Sequence, residues 1–144
     1  MSDPFDLQRF VAAQDAHYPS ICAELRAGRK ESHWMWYVFP QLSGLGKSAM
    51  AQRYGLSSLA EARAYLQHPV LGTRLRQCTG LVNAVPGASI RQILGSPDDL
   101  KFRSCVTLFS VASGREALFE EALRKYYAGA SDTRTLELLG AEAP

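Results

Sequence analysis

The sequence predicts an all-α fold, a single compact domain over residues 1–144 with about seven to nine short helices. Through most of the chain apolar residues recur at steps of three and four, the period of an amphipathic helix. No segment shows a convincing alternation of apolar and polar residues, and no Asn-Gly or Asp-Gly pair is present to close a hairpin. A chain of 144 residues without repeats or linkers corresponds to one domain.

The N-terminal third predicts three helices and one ambiguous segment. Apolar residues at helical spacing over 7–14 indicate the first helix. Pro19 is expected in the first turn of the second helix, with Gly28 at its end. The segment 33–39, "HWMWYVF", is apolar on every side and too short for its period to distinguish helix from strand. A short helix is expected within 46–55, "GKSAMAQRYG".

The middle of the chain predicts three more helices. Ser58 and Glu61 have the spacing of a capping box, which begins a helix that ends near His68. The next helix has the clearest apolar period of the chain, formed by Leu71, Leu75, Cys78, Val82 and Val85. A short helix over 90–94 is expected to stop at Gly95.

The C-terminal part begins with a strong helix start, Ser96-Pro97-Asp98-Asp99. Here the serine is expected to cap, the proline to occupy the first turn, and the two carboxylates to meet the positive end of the helix dipole. The apolar side of this helix is formed by Phe102, Cys105, Val106, Phe109 and Ala112. A further helix over 118–126 ends at Gly129, and Asp132 is expected to cap a last one through residue 139.

Several sequence features predict the cellular compartment. No apolar run approaches the ~20 residues of a membrane span, and the N-terminus has no signal-peptide character, so a cytoplasmic protein without membrane contact is expected. Three cysteines, widely separated and set among apolar neighbours, predict reduced and buried thiols: Cys22, Cys78 and Cys105. The three histidines share no metal-ligand spacing, so no metal and no cofactor are expected.

The charge distribution suggests an anionic partner. A formal net charge of +2 argues against a general nucleic-acid binder. Between Arg26 and Arg91, however, nine Lys and Arg residues face only two acidic ones. This excess surrounds the segment 28–48, "GRKESHWMWYVFPQLSGLGKS", where a small anionic ligand is electrostatically reasonable. The alternative is a solvated basic surface.

The Gly-Lys-Ser at 46–48 does not form a P-loop. A Walker A motif needs a further glycine at position 41, where this chain has Gln41, and it follows a buried strand that the pattern lacks. A weaker anion site remains, in which Gly44 and Gly46 allow close backbone approach and Lys47 supplies charge. The alternative is an ordinary glycine-rich turn in which Ser48 caps its helix.

Four stretches carry a family resemblance. They are "AGRKESHWMWYVFPQLSGLGKSAMAQRYG", "LAEARAYLQHPVLGTRLRQC", "DDLKFRSCVTLF" and "DTRTL". On these, the chain resembles over nearly its whole length the bacterial family catalogued as domain of unknown function 1810, sometimes labelled calpastatin-like. The resemblance implies a compact all-helical domain and no established activity, and nothing in the sequence is similar to the extended repeats of a calpain inhibitor.

The candidate site combines residues 33–48 with 99–104. The candidate ligand-binding residues are Lys30, Trp36, Gln41, Gly44, Gly46, Lys47, Ser48, Lys101, Arg103 and Ser104. His33 is the candidate catalytic acid or base, because nearby cations favour a neutral imidazole. Structural alternatives remain open for several of these residues. Trp36 is then a core residue, His33 is bonded to a backbone carbonyl, and Lys101 and Ser104 lie on an exposed helix face.

Two functions follow from these residues. The first is binding of a small anionic molecule that contains phosphate, with nucleotide-like molecules among the candidates. If the protein is an enzyme, a hydrolase or transferase acting on such a molecule is expected. The second is a protein-interaction module without enzymatic activity, whose exposed aromatic residues dock a partner.

Overall fold

The structure, a computed structural model, describes residues 3–140. This range contains ten α-helices and no strand, which confirms the all-α prediction, and seven of the helices have at least seven residues. They are α1 (Gln8–Asp15), α2 (Tyr18–Arg26), α3 (Met35–Val38), α4 (Ala49–Tyr54), α5 (Leu59–Gln67), α6 (Leu71–Asn83), α7 (Ile90–Leu94), α8 (Asp98–Ala112), α9 (Ala117–Tyr127) and α10 (Thr133–Gly140). A 3₁₀ turn over Ser43–Leu45 lies between α3 and α4.

Helix α8 is the central element of the fold. It packs against α5, α7, α9 and α10, and every residue from 104 to 110 is buried. The sequence predicted one apolar side for this helix. In the structure its central part, residues 104–110, is buried on every side because other helices surround it. Its small polar residues, such as Ser104 and Ser110, are therefore inside the protein.

Aromatic side chains connect the ambiguous segment 33–39 to this central helix. Trp34 and Phe39 flank the single turn of α3, and both are almost completely buried. The Phe39 ring meets the Phe102 ring of α8 edge to face, with 4.9 Å between the ring centroids. Trp36, on the opposite side of the turn, is only half-buried. The segment is thus partly core and partly surface.

Side-chain caps begin several helices as the sequence predicted. Ser48 Oγ accepts the Ala51 amide at the start of α4, and Asp132 accepts the Thr135 amide at the start of α10. His68 also acts at a junction, because its Nδ1 accepts the amides of Val70 and Leu71 before α6.

Two predicted helix starts were wrong in detail. Ser58 caps α5, but the carboxylate of Glu61 accepts hydrogen bonds from Ser57 and pairs with Arg9. Ser96 does not cap α8, since Pro97 occupies the N-cap position without a side-chain bond. At α5, Ser57 donates to the Glu61 carboxylate in place of Ser58. At α8, Pro97 stands at the N-cap position predicted for Ser96.

The three cysteines are free and buried, as predicted. Burial away from water raises the pKa of Cys78 to about 12 and raises that of Cys105 well above its usual value. Because a thiolate is the reactive form, these two thiols are chemically quiet at neutral pH. Among residues 3–140, no helix has both the length and the apolar character needed to cross a membrane.

Candidate functional site

The loop 41–48 is fixed to the body of the protein at both ends. Leu42 forms an isolated parallel bridge with Leu56, in which the Ser43 amide donates to Leu56 O and the Leu56 amide donates to Gln41 O. At the other end Ser48 caps α4. A short loop held at two points presents its backbone in one arrangement, which is what a binding loop requires.

Gly46 allows this loop to lie directly against α4. A Cβ at position 46 would stand 2.5 Å from the Ala51 Cβ, too close for any other residue without a shift. The loop is also held there by a hydrogen bond from the Gln52 side chain to Gly46 O, 2.9 Å long. Gly46 was predicted to allow close approach of a ligand. The structure requires a glycine there because the loop backbone packs directly against α4.

A cleft opens between this loop and helices α8 and α10. It has a volume of about 400 Å³, within the usual range for small-ligand pockets. Its lining residues are Gln41, Leu45, Gly46, Lys47, Ser48, Ala51, Pro97, Leu100, Lys101, Ser104, Asp132 and Arg134. Six of the candidate residues predicted from sequence are thus brought together: Gln41, Gly46, Lys47, Ser48, Lys101 and Ser104.

Three cationic side chains face one carboxylate around this cleft. Lys47 is exposed and has no acidic partner in the described part of the chain. Lys101 lies 3.8 Å from a carboxylate oxygen of Asp98, and Arg134 lies 3.7 Å from Glu137 in a pair exposed on both sides. The Arg134 pair is long and exposed and therefore contributes little, so this cation can turn to another anion. The Lys101 pair is partly buried, but its 3.8 Å separation is longer than a direct hydrogen bond.

Unsatisfied polar groups also line the cleft. No acceptor within residues 3–140 takes the amide hydrogen of Lys47, and the same holds for the side-chain amide of Gln41. Because water satisfies such exposed groups, a ligand with acceptor atoms can replace that water without leaving a donor unpaired.

Trp36 lies beside the cleft and not inside it. It lines a small adjoining cavity of about 10 Å³, room for one water molecule, which shares Gln41, Ala51 and Lys101 with the cleft. The Lys101 ammonium stands over the indole, 5.5 Å from the ring centroid. One face of this ring is therefore already occupied by a cation.

Three other predicted ligand-binding residues point elsewhere. Lys30 pairs with Asp98 at 3.0 Å, with its side chain largely buried. Arg103 donates from Nε to Ala130 O at 2.9 Å and stands over the Tyr127 ring. Gly44 is exposed, and a Cβ there would stand 3.4 Å from the Leu138 side chain of α10. None of the three lines the cleft, because the helix direction and the packing of α9 and α10 set where they face.

His33 belongs to a different cleft, which corrects the expectation that one pocket holds both His33 and Lys47. The second cleft has a volume of about 250 Å³ and is lined by His17, Ser20, Ser32, His33, Trp34 and Tyr37. The imidazole therefore does not line the cationic cleft. The turn of α3 separates the two sites, since Trp34 begins it and Trp36 lies on its other side.

Ser104 and Lys101 do not form a nucleophile pair. The Ser104 hydroxyl donates to Leu100 O, 3.3 Å away within its own helix, and no contact joins it to the Lys101 ammonium in the described structure. Ser104 is also buried, which excludes for this residue the alternative of an exposed helix face. It can offer a ligand its oxygen, but its proton is already used.

Two charged cleft residues were missed by the sequence reading, Asp132 and Arg134. The signal was the stretch "DTRTL", where a cap residue and a cation stand two positions apart at a helix start. Asp132 was assigned only as a cap, and 86 positions separate it from Gly46 (132 − 46). Only the packing of α10 on α8 and on the 3₁₀ turn brings them together.

Glu24 organises the segment that leads into α3, and sequence reasoning also missed it. Its carboxylate accepts hydrogen bonds from the amides of Glu31 and Ser32, the Ser32 hydroxyl and the Trp34 indole. Partial burial raises the pKa of this carboxyl, but these hydrogen bonds outweigh that effect and hold the pKa at about 2.

We expect Glu24→Gln to lower the free energy of unfolding by about 1–2 kcal/mol at pH 7, a figure reduced to allow for the exposure of this carboxylate. The folded pKa lies below the unfolded value, so the stabilising effect is present above about pH 4.5 and is lost as pH falls toward 2. Urea denaturation of both proteins at pH 7 and pH 3 checks this. A difference that stays constant between the two pH values would contradict it.

No three His, Cys, Asp or Glu side chains among the described residues form a group that could hold a metal ion. The cationic cleft in particular contains a single carboxylate and neither histidine nor cysteine. Its side chains suit an anion, because a single carboxylate provides too few ligands for a metal ion.

Comparison with known proteins places the chain among relatives without assigned activity. The family model described as "Protein of unknown function (DUF1810)" matches residues 4–139. No curated protein matches the chain. Among solved structures it is similar to the conserved hypothetical protein Rv1873 from Mycobacterium tuberculosis, with 60% sequence identity and a TM-score of 0.95. That match covers 96% of this chain and 99% of the other.

Proposed function

We propose that this chain, which belongs to the DUF1810 family of proteins of unknown function, binds a small phosphate-containing anion in the cleft between residues 41–51 and helices α8 and α10. One observation carries the proposal: Lys47, Lys101 and Arg134, from three distant parts of the sequence, line one cleft with a single carboxylate among them. Clustered cations with weak internal pairing attract anions and raise their local concentration.

The free Lys47 ammonium is the strongest element of this arrangement. In the described structure the other three lysines have partners: Lys30 and Lys101 with Asp98, and Lys125 with the carbonyls of Asn83 and Val85. An unpaired ammonium loses no protein contact when it binds phosphate, and a charge-assisted hydrogen bond to phosphate is stronger than one to water. Lys47 is therefore expected to dominate the affinity.

The same geometry supports the phosphate end of a ligand more than a stacked base. The Lys101 ammonium covers one face of Trp36, and the cavity beside the indole holds no more than one water molecule. A nucleotide base reaches the indole only if Lys101 moves to the phosphate. The proposal therefore includes a nucleotide-like ligand only together with this movement of Lys101.

Inorganic phosphate is expected to stabilise the protein, and Lys47→Ala is expected to remove most of that effect. At a concentration of 100 times its dissociation constant, one bound phosphate adds roughly 2.7 kcal/mol to the free energy of unfolding. Chemical denaturation with phosphate or chloride at equal ionic strength measures this. Because Lys47 is exposed and unpaired, the variant should unfold like the parent in chloride.

Arg124→Ala is the matched control, since Arg124 is an exposed cation on α9 that lines none of the clefts described above. It should keep the full phosphate effect. If phosphate stabilises neither parent nor control beyond chloride, the proposal fails. A protein-interaction module, with the exposed Leu100 and Leu136 as contact residues, would then be the better function.

A further inference from the structure

We infer that the cationic cleft takes a phosphorylated polyol, a phosphate ester that also carries free hydroxyl groups, and that Asp132 is the residue that selects the hydroxyls. This inference rests on the proposed function, because it uses the same cleft and names the class of molecule that fits it. It starts from the one carboxylate among the lining residues.

Asp132 is rigidly positioned, and one of its two oxygens is unused. Its amide donates to Thr107 Oγ1 of α8 at 2.9 Å. Its Oδ2 accepts the Thr135 amide at 2.9 Å and the Thr135 hydroxyl at 2.6 Å. Oδ1 accepts nothing from residues 3–140 and is not sealed from solvent. The helix cap therefore needs only half of this carboxylate.

A free carboxylate oxygen opposes the binding of a bare anion. Within a cleft lined by three cations it lowers the positive potential and thus weakens phosphate binding. The same oxygen is a strong acceptor for hydroxyl hydrogens, and carboxylates bind the hydroxyls of ribose in this way in other folds. A ligand that carries both a phosphate and hydroxyl groups uses every charged residue of the cleft.

The other lining residues suit such a molecule. Gln41 offers both an amide donor and a carbonyl acceptor without a partner in the described chain, so it can bind a hydroxyl of either orientation. Leu45, Ala51, Pro97 and Leu100 supply an apolar wall for a carbon skeleton. The volume of about 400 Å³ lies toward the small end of ligand pockets.

The test compares two phosphate monoesters on the intact protein by isothermal titration calorimetry. Methyl phosphate has the phosphate and no hydroxyl, whereas ribose 5-phosphate has both. The parent protein should bind ribose 5-phosphate about tenfold more tightly, the effect of one hydrogen bond to a charged acceptor. Asp132→Asn should lose this preference and bind methyl phosphate as tightly as before or more tightly, since a negative charge has left the cleft.

The variant is expected to fold, because asparagine and serine cap helices about as well as aspartate. Asp132→Ser provides a second uncharged cap if Asp132→Asn is unstable. Equal affinity of the parent for the two esters, or a preference that both variants keep, overturns the inference and leaves the phosphate proposal standing. If neither ester nor inorganic phosphate binds, the proposed function itself fails.

Discussion

Arg9→Met is expected to lower the free energy of unfolding by about 3–5 kcal/mol, because it leaves a buried carboxylate without its counter-ion. Glu61 is 2% exposed, and its Oε2 lies 2.9 Å from the Arg9 guanidinium. Removing one partner of a buried pair costs more than the pair contributes, since the remaining charge has neither water nor an opposite charge.

The guanidinium of Arg9 also joins segments that are distant in sequence. It donates to the carbonyls of Phe5 and Asp6 before α1, and to those of Arg53 and Gly55 at the end of α4. The Glu61 Oε1 meanwhile accepts from the amide and hydroxyl of Ser57. The substitution therefore loosens the same 55–57 segment whose bridge from Leu56 to Leu42 supports the cleft loop.

Urea denaturation measures the loss. Glu137→Gln, which breaks the pair with Arg134 that is more than half exposed on both sides, serves as the comparison and should change stability by less than about 0.5 kcal/mol. Adding Glu61→Gln to Arg9→Met should restore part of the loss, because the buried charge is gone while an acceptor for Ser57 remains. A cost below about 1 kcal/mol for Arg9→Met would show that water reaches Glu61.

Local patterns predicted most helices because their causes are local. The four-and-three spacing from Leu71 to Val82 defines the buried side of α6, and the caps at Ser48 and Asp132 act within three residues. The same reasoning misjudged α8, since a helix becomes central only through what surrounds it. Nothing within 98–112 indicates that Ser104 and Ser110 are buried.

The residues of the candidate site were likewise predicted where the cause is local and missed where it is not. Gln41, Gly46, Lys47 and Ser48 are close in sequence, so one loop brings them to one cleft. Whether Lys30, His33 or Arg103 joins them depends on rotations about α3 and α8 and on where α9 and α10 pack, which no local pattern specifies. Asp132 and Arg134 were out of reach for the same reason.

Phe39→Ala is expected to cost about 3–5 kcal/mol, the usual loss for an aromatic residue removed from a filled core. Phe39 is 1% exposed and its ring packs against the rings of Trp34 and Phe102, with centroids at 6.1 Å and 4.9 Å. It also lines the small cavity beside Trp36, so the substitution enlarges a space that the protein leaves almost filled. Thermal and urea denaturation measure the loss.

Phe39→Leu separates the core role of this residue from a role at the cleft. Leucine keeps most of the apolar volume and should cost less than about 1.5 kcal/mol. The Phe39 ring has no charge and does not line the cationic cleft, so phosphate should stabilise Phe39→Leu as much as the parent. A variant that folds well but no longer responds to phosphate would show that the ligand reaches the space beside Trp36. The anion site would then include the indole and extend beyond the cleft between Lys47 and Arg134.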